Sequence, residues 1–272
     1  MAKTIFITGA SRGFGRIWTE AFLKRGDNVV ATVRNLDALA ALIKEFPSNL
    51  LVLKLDVTDK NASFEAIEAA KKHFGVIDVL INNAGFGQVG AIEELDEKDV
   101  RAQFETNVFG PLWTIQAVLP IMREQNSGQI IQLSSALGIN TVPLMGIYSA
   151  AKFAVEGLTE TLASEVSGFG IKVTIVEPGG YATDFFGSNS LAVSSPLSAY
   201  DAIRKDFYEH AGDQDSGNPT ATAGAILGLV DTENPPLRLI LGKIALPWIK
   251  HTYEERLKTW ESWQDISVAA HG

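Results

Sequence analysis

Thr4-Ile5-Phe6-Ile7-Thr8-Gly9-Ala10-Ser11-Arg12-Gly13-Phe14-Gly15 is the stretch that decides the fold. Its first four residues are apolar or β-branched, the composition of a buried parallel strand. Glycines at 9, 13 and 15 supply a turn, and Ile17, Trp18, Ala21 and Phe22 repeat at helical spacing behind it. Strand, glycine turn and helix start, in that order, let the backbone approach an anion closely. The helix start offers it bare N–H groups and a partial positive charge. Gly9, Ser11, Arg12, Gly13, Phe14 and Gly15 are therefore candidate binders of a pyrophosphate. The spacing is Gly-x-x-x-Gly-x-Gly, not the commoner Gly-x-Gly-x-x-Gly. Tight packing alone would also use such glycines, but a helix end with unmatched donors wants an anion.

Outward from this stretch, strand-like runs recur at Asn28–Val33, Leu50–Leu55, Val79–Asn82, Gln129–Ser134, Ile171–Glu177 and Leu237–Leu241. Helical patterns lie between them, near 15–25, 36–45, 60–74, 97–123, 145–167 and 220–230. The alternation predicts an α/β fold: a doubly wound, mostly parallel seven-stranded sheet with helices on both faces. Ligands collect at the carboxyl ends of such strands. Gly9, Asp56, Asn83, Ser135 and Pro178 each follow a predicted strand and so fall along that edge. Residues 183–219 break the pattern and read as loop-rich.

The chain has 272 residues, 46% of them hydrophobic, which suits one domain with a substantial core. It has no cysteine, which excludes disulfides, thiolate metal sites and cysteine nucleophiles. The four histidines (His73, His210, His251 and His271) do not cluster, and no metal is expected. Met1-Ala2-Lys3 runs straight into the first strand, leaving no room for a signal peptide, and no apolar run suffices to span a bilayer. A cytoplasmic protein without membrane partners is expected. A formal net charge of −9 argues against a nucleic-acid surface.

Tyr148 and Lys152 stand four positions apart, about one helical turn, so both project from one face. A cation held beside a phenol favours the phenolate and draws its pKa down from ~10. Such a tyrosine can exchange a proton with an alcohol or carbonyl oxygen. No other tyrosine of the chain has a lysine at that spacing. Alone, the pair would also describe the surface of an amphipathic helix.

With Asp56-Val57, Asn82-Asn83-Ala84-Gly85, Asn107, Ser135 and Pro178-Gly179-Gly180-Tyr181-Ala182-Thr183 added, in this order, the chain resembles the compact single-domain branch of the short-chain dehydrogenase/reductase family over nearly its whole length. The 13 positions from Ser135 to Tyr148 match the family's usual gap. The resemblance implies a catalytic set of Asn107, Ser135, Tyr148 and Lys152 and a nicotinamide dinucleotide. It also implies cofactor contacts from Asn83, Ala84, Gly85, Pro178, Gly179 and Thr183, with Lys152 on the nicotinamide ribose. Asn107 either anchors a water that relays protons to Lys152, as the resemblance implies, or is a buried amide holding a kink. Of the adjacent serines, spacing favours Ser135 for the site and leaves Ser134 a structural hydrogen-bonder.

An NAD site usually carries an acid at the end of its second strand, about 20 residues beyond the glycines. Here Val33 stands in its place and Arg34 follows, while Arg12 sits inside the glycine turn. Two guanidiniums can clamp a 2′-phosphate, so NADP(H) is expected. Taken singly, Arg34 reads as an exposed arginine and Arg12 as a cap on nearby carbonyls. Asp56 and Val57 suit the adenine edge, although Asp56 would also cap the helix opening at Thr58-Asp59.

The substrate is expected to be a small carbonyl or alcohol with an apolar body. It would meet Ser135, Tyr148, Pro143, Leu144, Met145, Tyr181, Phe185 and Phe186, with 183–219 covering it. Trp248, Trp260 and Trp263 in the 243–272 extension pack on the domain, form a subunit interface or close the site. A homodimer or homotetramer is expected. Two alternatives are an NADP-binding redox-sensing regulator, whose kind loses the tyrosine, and a sugar-nucleotide epimerase or dehydratase, which needs a larger C-terminal domain.

Overall fold

Alternation along each strand sorts side chains into two hydrophobic layers. In β1 (Thr4–Ile7), Ile5 and Ile7 enter one layer and Phe6 the other. The computed structural model describes residues 2–183, 185, 190–210 and 216–272. After β1 come α1 (Gly13–Arg25), β2 (Asn28–Val33), α2 (Ala40–Glu45), β3 (Leu50–Lys54), α3 (Lys60–Phe74), β4 (Val79–Asn82) and β5 (Gly87–Val89). Next are α4 (Glu97–Phe104), α5 (Gly110–Gln125), β6 (Gly128–Leu133), α6 (Gly146–Val166), β7 (Ile171–Pro178) and β8 (Leu191–Val193). The chain ends with α7 (Asp201–His210), α8 (Thr222–Asp231), β9 (Arg238–Leu241), α9 (Ala245–Ser262) and α10 (Gln264–Ala269).

Seven strands form one sheet in the order β3-β2-β1-β4-β6-β7-β9, and every pair in it is parallel. This is a single-domain, Rossmann-like doubly wound sheet. The order reverses between β1 and β4, which opens a crevice at their carboxyl ends. Trp18 and Phe22 of α1 and Ile226, Leu229 and Val230 of α8 fill one layer. Ile67 of α3, Val118 and Met122 of α5 and Leu162 of α6 fill the other. Trp18 is fully buried, and its indole Nε1 donates to Thr222 Oγ1 at 2.9 Å, satisfying the one polar atom that burial would strand. Truncating it to alanine would cost about 3–5 kcal/mol.

Every bound of the seven sheet strands lies within a residue of the expected one, Pro178 extending β7 by one. The helix expected over 97–123 is interrupted: Glu105–Phe109 form a π turn between α4 and α5. The stretch read as loop-rich contains α7 and also β8, which pairs with β5 as a second, two-stranded parallel sheet. Short strands and a ten-residue helix among Ser, Asn and Pro carry too little periodicity to stand out. No helix among the described residues is long and apolar enough to cross a membrane.

Candidate active site

The glycine turn leaves β1 through Gly9 at φ 70°. A Cβ there would also stand 2.8 Å from Ala84 Cα, so the ends of β1 and β4 touch only because it is glycine. Thr8 and Asn83 lock the two ends together. Thr8 Oγ1 accepts from the N–H groups of Asn83 and Ala84, each at 3.0 Å, and Asn83 Nδ2 donates to the carbonyls of Thr8 and Gly9 at 2.9 and 3.0 Å. Thr8 was missed as a site residue; its place at the end of β1 against Asn83 was the available signal. α1 then begins with no side-chain cap and no acid in its first turn. Gly13, at φ 55°, faces open space. An uncapped helix start beside an open cradle fits a pyrophosphate.

That cradle closes one end of a cavity of about 690 Å³. Gly9, Ser11, Arg12, Gly13 and Phe14 line it, as do Asn83, Ala84, Gly85, Pro178, Gly179 and Thr183. Val33, Arg34, Asp56 and Val57 line it at the β2–β3 end, so Arg12 and Arg34 share one cavity with no acid at the end of β2. Gly15 is buried behind the turn and does not line it. Asp56 Oδ1 accepts from Thr58 N–H and Oγ1 at 3.1 and 2.9 Å. The cap of α3 is Asp59, whose Oδ1 accepts from Ala62 N–H at 3.0 Å, not Asp56.

At the other end, Ser135, Tyr148 and Lys152 line the same cavity. Ser135 follows β6 at the start of a short 3-10 turn, where its Oγ accepts from Leu137 N–H at 3.1 Å. Tyr148 lies in the first turn of α6, buried, its ring 5.4 Å from that of Phe185. Lys152 follows one turn on, its Nζ donating to Leu133 O at 2.9 Å and lying 5.6 Å from the Tyr148 ring centre.

The electrostatics correct the sequence reading. Burial pushes the Tyr148 phenol above its ordinary range, and a hydrogen bond with Ser135 pulls it back only in part. Burial also lowers Lys152 to about 8, with Glu156 acting the other way. The amine donates to the Leu133 carbonyl, and the phenol stays protonated at neutral pH.

Asn107 does not line the cavity. It lies in the π turn, where Oδ1 accepts from Phe86 N–H at 3.1 Å and Nδ2 donates to Phe86 O at 2.9 Å. Both ends of its amide hold the segment after β4, and its neighbour Thr106 reaches the cavity. Of the residues expected ahead of Tyr148, Met145 lines the cavity, while Pro143 is exposed and Leu144 is buried beside Val89 and Tyr148. Leu144 sits at φ 66°, where its carbonyl accepts from Gly90 N–H at 2.8 Å. That left-handed conformation costs a branched residue about 1–2 kcal/mol and turns its side chain into the core. Tyr181 and Phe185 line the cavity; Phe186 lies outside the described residues.

Leu137 and Val142 also line it without having been expected, as does Ser134, which was read as structural; Leu191 and Phe207 from the segment expected to cover the substrate, and Trp248 from the C-terminal extension, line it too. Trp248 stands on α9 near the cavity, whereas Trp260 and Trp263 are each 61% exposed and do not pack on the domain as expected.

Residues 3–193 match the family described as short chain dehydrogenase. The oxidoreductase BOA17 of Botryotinia fuckeliana is 38% identical over 99% of this chain and 100% of its own length. A 3-ketodihydrosphingosine reductase of Bacteroides thetaiotaomicron is 37% identical over 89% of this chain and 88% of its own. Among solved structures, a short-chain dehydrogenase from Streptomyces avermitilis superposes with a TM-score of 0.92 at 39% identity, covering 99% of this chain and 98% of that one. A Burkholderia phymatum short chain dehydrogenase/reductase in complex with NAD has a TM-score of 0.81 at 25% identity, covering 96% and 94%. ElxO with NADP bound has a TM-score of 0.73 at 26% identity, covering 88% and 96%. With its glycine turn, parallel sheet and matched sequence in agreement, the chain belongs to the short-chain dehydrogenase family of oxidoreductases.

Proposed function

We propose that the protein is an NADP(H)-dependent carbonyl reductase or alcohol dehydrogenase whose general acid/base is Tyr148. The observation that carries this reading is the buried Tyr148 side chain on the cavity wall, with Ser135 beside it and Lys152 one turn behind it. When bound, the nicotinamide supplies the hydride for reduction or accepts it in oxidation. Ser135 Oγ and the Tyr148 hydroxyl hold the substrate oxygen between them. Burial keeps Tyr148 protonated, the form that donates to a carbonyl oxygen gaining negative charge. Lys152 would hold the nicotinamide ribose, and its positive charge would lower the cost of the phenolate left on Tyr148. Asn107 keeps Phe86 and Gly85 in place at the cavity wall.

NADP(H) is favoured over NAD(H) because Arg12 and Arg34 line the cavity where β2 ends without an acid. An apolar substrate body is favoured by Leu137, Val142, Phe185, Leu191 and Phe207, which line the cavity and pack around Tyr148. One relative's name, 3-ketodihydrosphingosine reductase, accords with a keto substrate. On this reading the 183–219 segment covers the substrate, supplying Leu191 and Phe207. The enzyme is taken to be cytoplasmic, and the exposed apolar side chains of α9 and α10, among them Tyr253, Leu257, Trp260, Ile266 and Val268, favour a homodimer or homotetramer.

The test is NADPH oxidation against apolar ketones and aldehydes, small polar carbonyls and sugar nucleotides. Turnover of the apolar carbonyls is expected. Isomerisation or dehydration of sugar nucleotides without net NADPH consumption, followed by product analysis, would favour an epimerase or dehydratase, and tight NADPH binding without turnover of any of them would favour a redox sensor.

A further inference from the structure

Behind Lys152 lies a charge cluster that the proton transfer at Tyr148 does not itself use. Glu156 stands one turn beyond Lys152 on α6, and Glu177 precedes the cavity-lining Pro178 on β7. Their exposures are 5% and 0%. Arg238, at the start of β9, offers its Nη1 to Glu156 Oε2 and to Glu177 Oε1, the latter at 2.6 Å. Its Nη2 donates to the exposed Glu160 at 2.9 Å. Glu156 Oε1 and Glu177 Oε2 are buried and make no well-aligned hydrogen bond. Ser134 Oγ, also buried, lies beside Glu156 Oε1 against Gly138.

Two buried carboxylates sharing one guanidinium nitrogen disfavour each other's ionisation. Burial raises both, and each acts on the other in the opposite sense, raising Glu177 and lowering Glu156. Glu177 is pushed up to about 7, so near neutral pH the pair shares a proton and still carries at least one negative charge. The charged and titratable groups around the pair are Arg238, Glu160, Ser134 and Lys152. Those around Lys152 are Glu156 and Tyr148, with the Leu133 carbonyl accepting from its Nζ.

We propose that Glu156 and Glu177, clamped by Arg238, are a positioning pair that keeps one negative charge beside Lys152 and so holds its buried ammonium in the cationic form. The inference rests on the reading of Lys152 as the partner of Tyr148, and it adds the group that keeps that partner charged. Glu156 touches neither substrate nor cofactor; it acts through Lys152.

The experiment is an NMR titration of the Lys152 side chain in cofactor-free, Cε-labelled protein, assigned with Lys152→Arg. Glu156→Gln removes the near charge, and the Lys152 midpoint is expected to fall by ~1 pH unit. Glu156→Asp retains the charge and is expected to restore the midpoint. Glu177→Gln confines the charge to Glu156, so the midpoint stays or rises. Glu160→Gln, at the exposed partner of Arg238, leaves it unmoved. Loosening of the core would instead admit water and raise the midpoint in every variant. An unchanged or raised midpoint in Glu156→Gln overturns the proposal. Should that variant not fold, a fall in Glu177→Gln does so. The kcat profile then tests the reading beneath it: if Lys152 titrates as expected and the basic limb of kcat fails to follow, the pair stands and the role of Lys152 toward Tyr148 falls.

Discussion

Replacing Lys152 by methionine removes a buried cation while keeping most of its apolar stem. Lys152 is 6% exposed, and burial lowers its pKa from 10.5 to about 8. Between those values the unfolded chain holds a proton there that the folded chain has released. Stability therefore rises with pH in that window and is reduced below it. Integrated from about pH 7 to about pH 9.5, the difference amounts to ~2 kcal/mol at 1.36 kcal/mol per pH unit. Urea unfolding of cofactor-free protein at the two pH values measures it directly. The wild type should gain ~2 kcal/mol relative to Lys152→Met across the interval, the other groups cancelling between the proteins. Equal pH dependence in the two would refute the claim that Lys152 is desolvated and easily discharged.

Three further outcomes are expected. Gly9→Ala combines left-handed strain with overlap on the Ala84 backbone and should cost about 2–4 kcal/mol, against about 1 kcal/mol for Gly13→Ala, whose Cβ meets nothing; thermal unfolding compares them. Arg34→Ala should lower the NADP/NAD ratio of kcat/KM by about tenfold or more; an unmoved ratio discards the clamp. Glu94 accepts from Ala91 and Leu197 N–H at 2.8 and 2.7 Å and from Arg204 at 2.5 Å, tying the segment that carries Leu191 and Phe207 to the body of the domain. Glu94→Gln should speed amide exchange over 191–207 and raise KM for an apolar substrate about tenfold, with cofactor binding unchanged.

Much of this was legible because local physics and tertiary structure agree. Every strand of the large sheet is built around a short run of Val, Ile, Leu or Phe, and buried parallel strands have nowhere else to put such residues. The cavity edge was readable for the same reason: residues that follow parallel strands must gather at one edge, and Gly9, Asp56, Asn83, Ser135 and Pro178 do. What escaped depends on contacts distant in sequence. Leu144 turns inward because Gly90 holds its carbonyl, so it does not stand beside Met145 on the cavity wall. The state of Lys152 is set by burial, opposed by Glu156, while its amine donates to Leu133 O, and a spacing of four reveals neither burial nor a competing acceptor. β8 is recognisable only with β5 beside it, about a hundred residues earlier in the chain. Trp248 reaches the cavity while Trp260 and Trp263 face outward, a distinction an amphipathic pattern does not draw.

Single-turnover reduction of an apolar ketone by NADPH, wild type against Tyr148→Phe, probes the core of the account, with cofactor affinity measured in parallel. Deleting one hydroxyl from a buried ring should leave the fold and NADPH binding intact and slow the chemical step by ~10²-fold or more. Rates within a few-fold of each other, at equal cofactor occupancy, would mean that the proton comes from elsewhere.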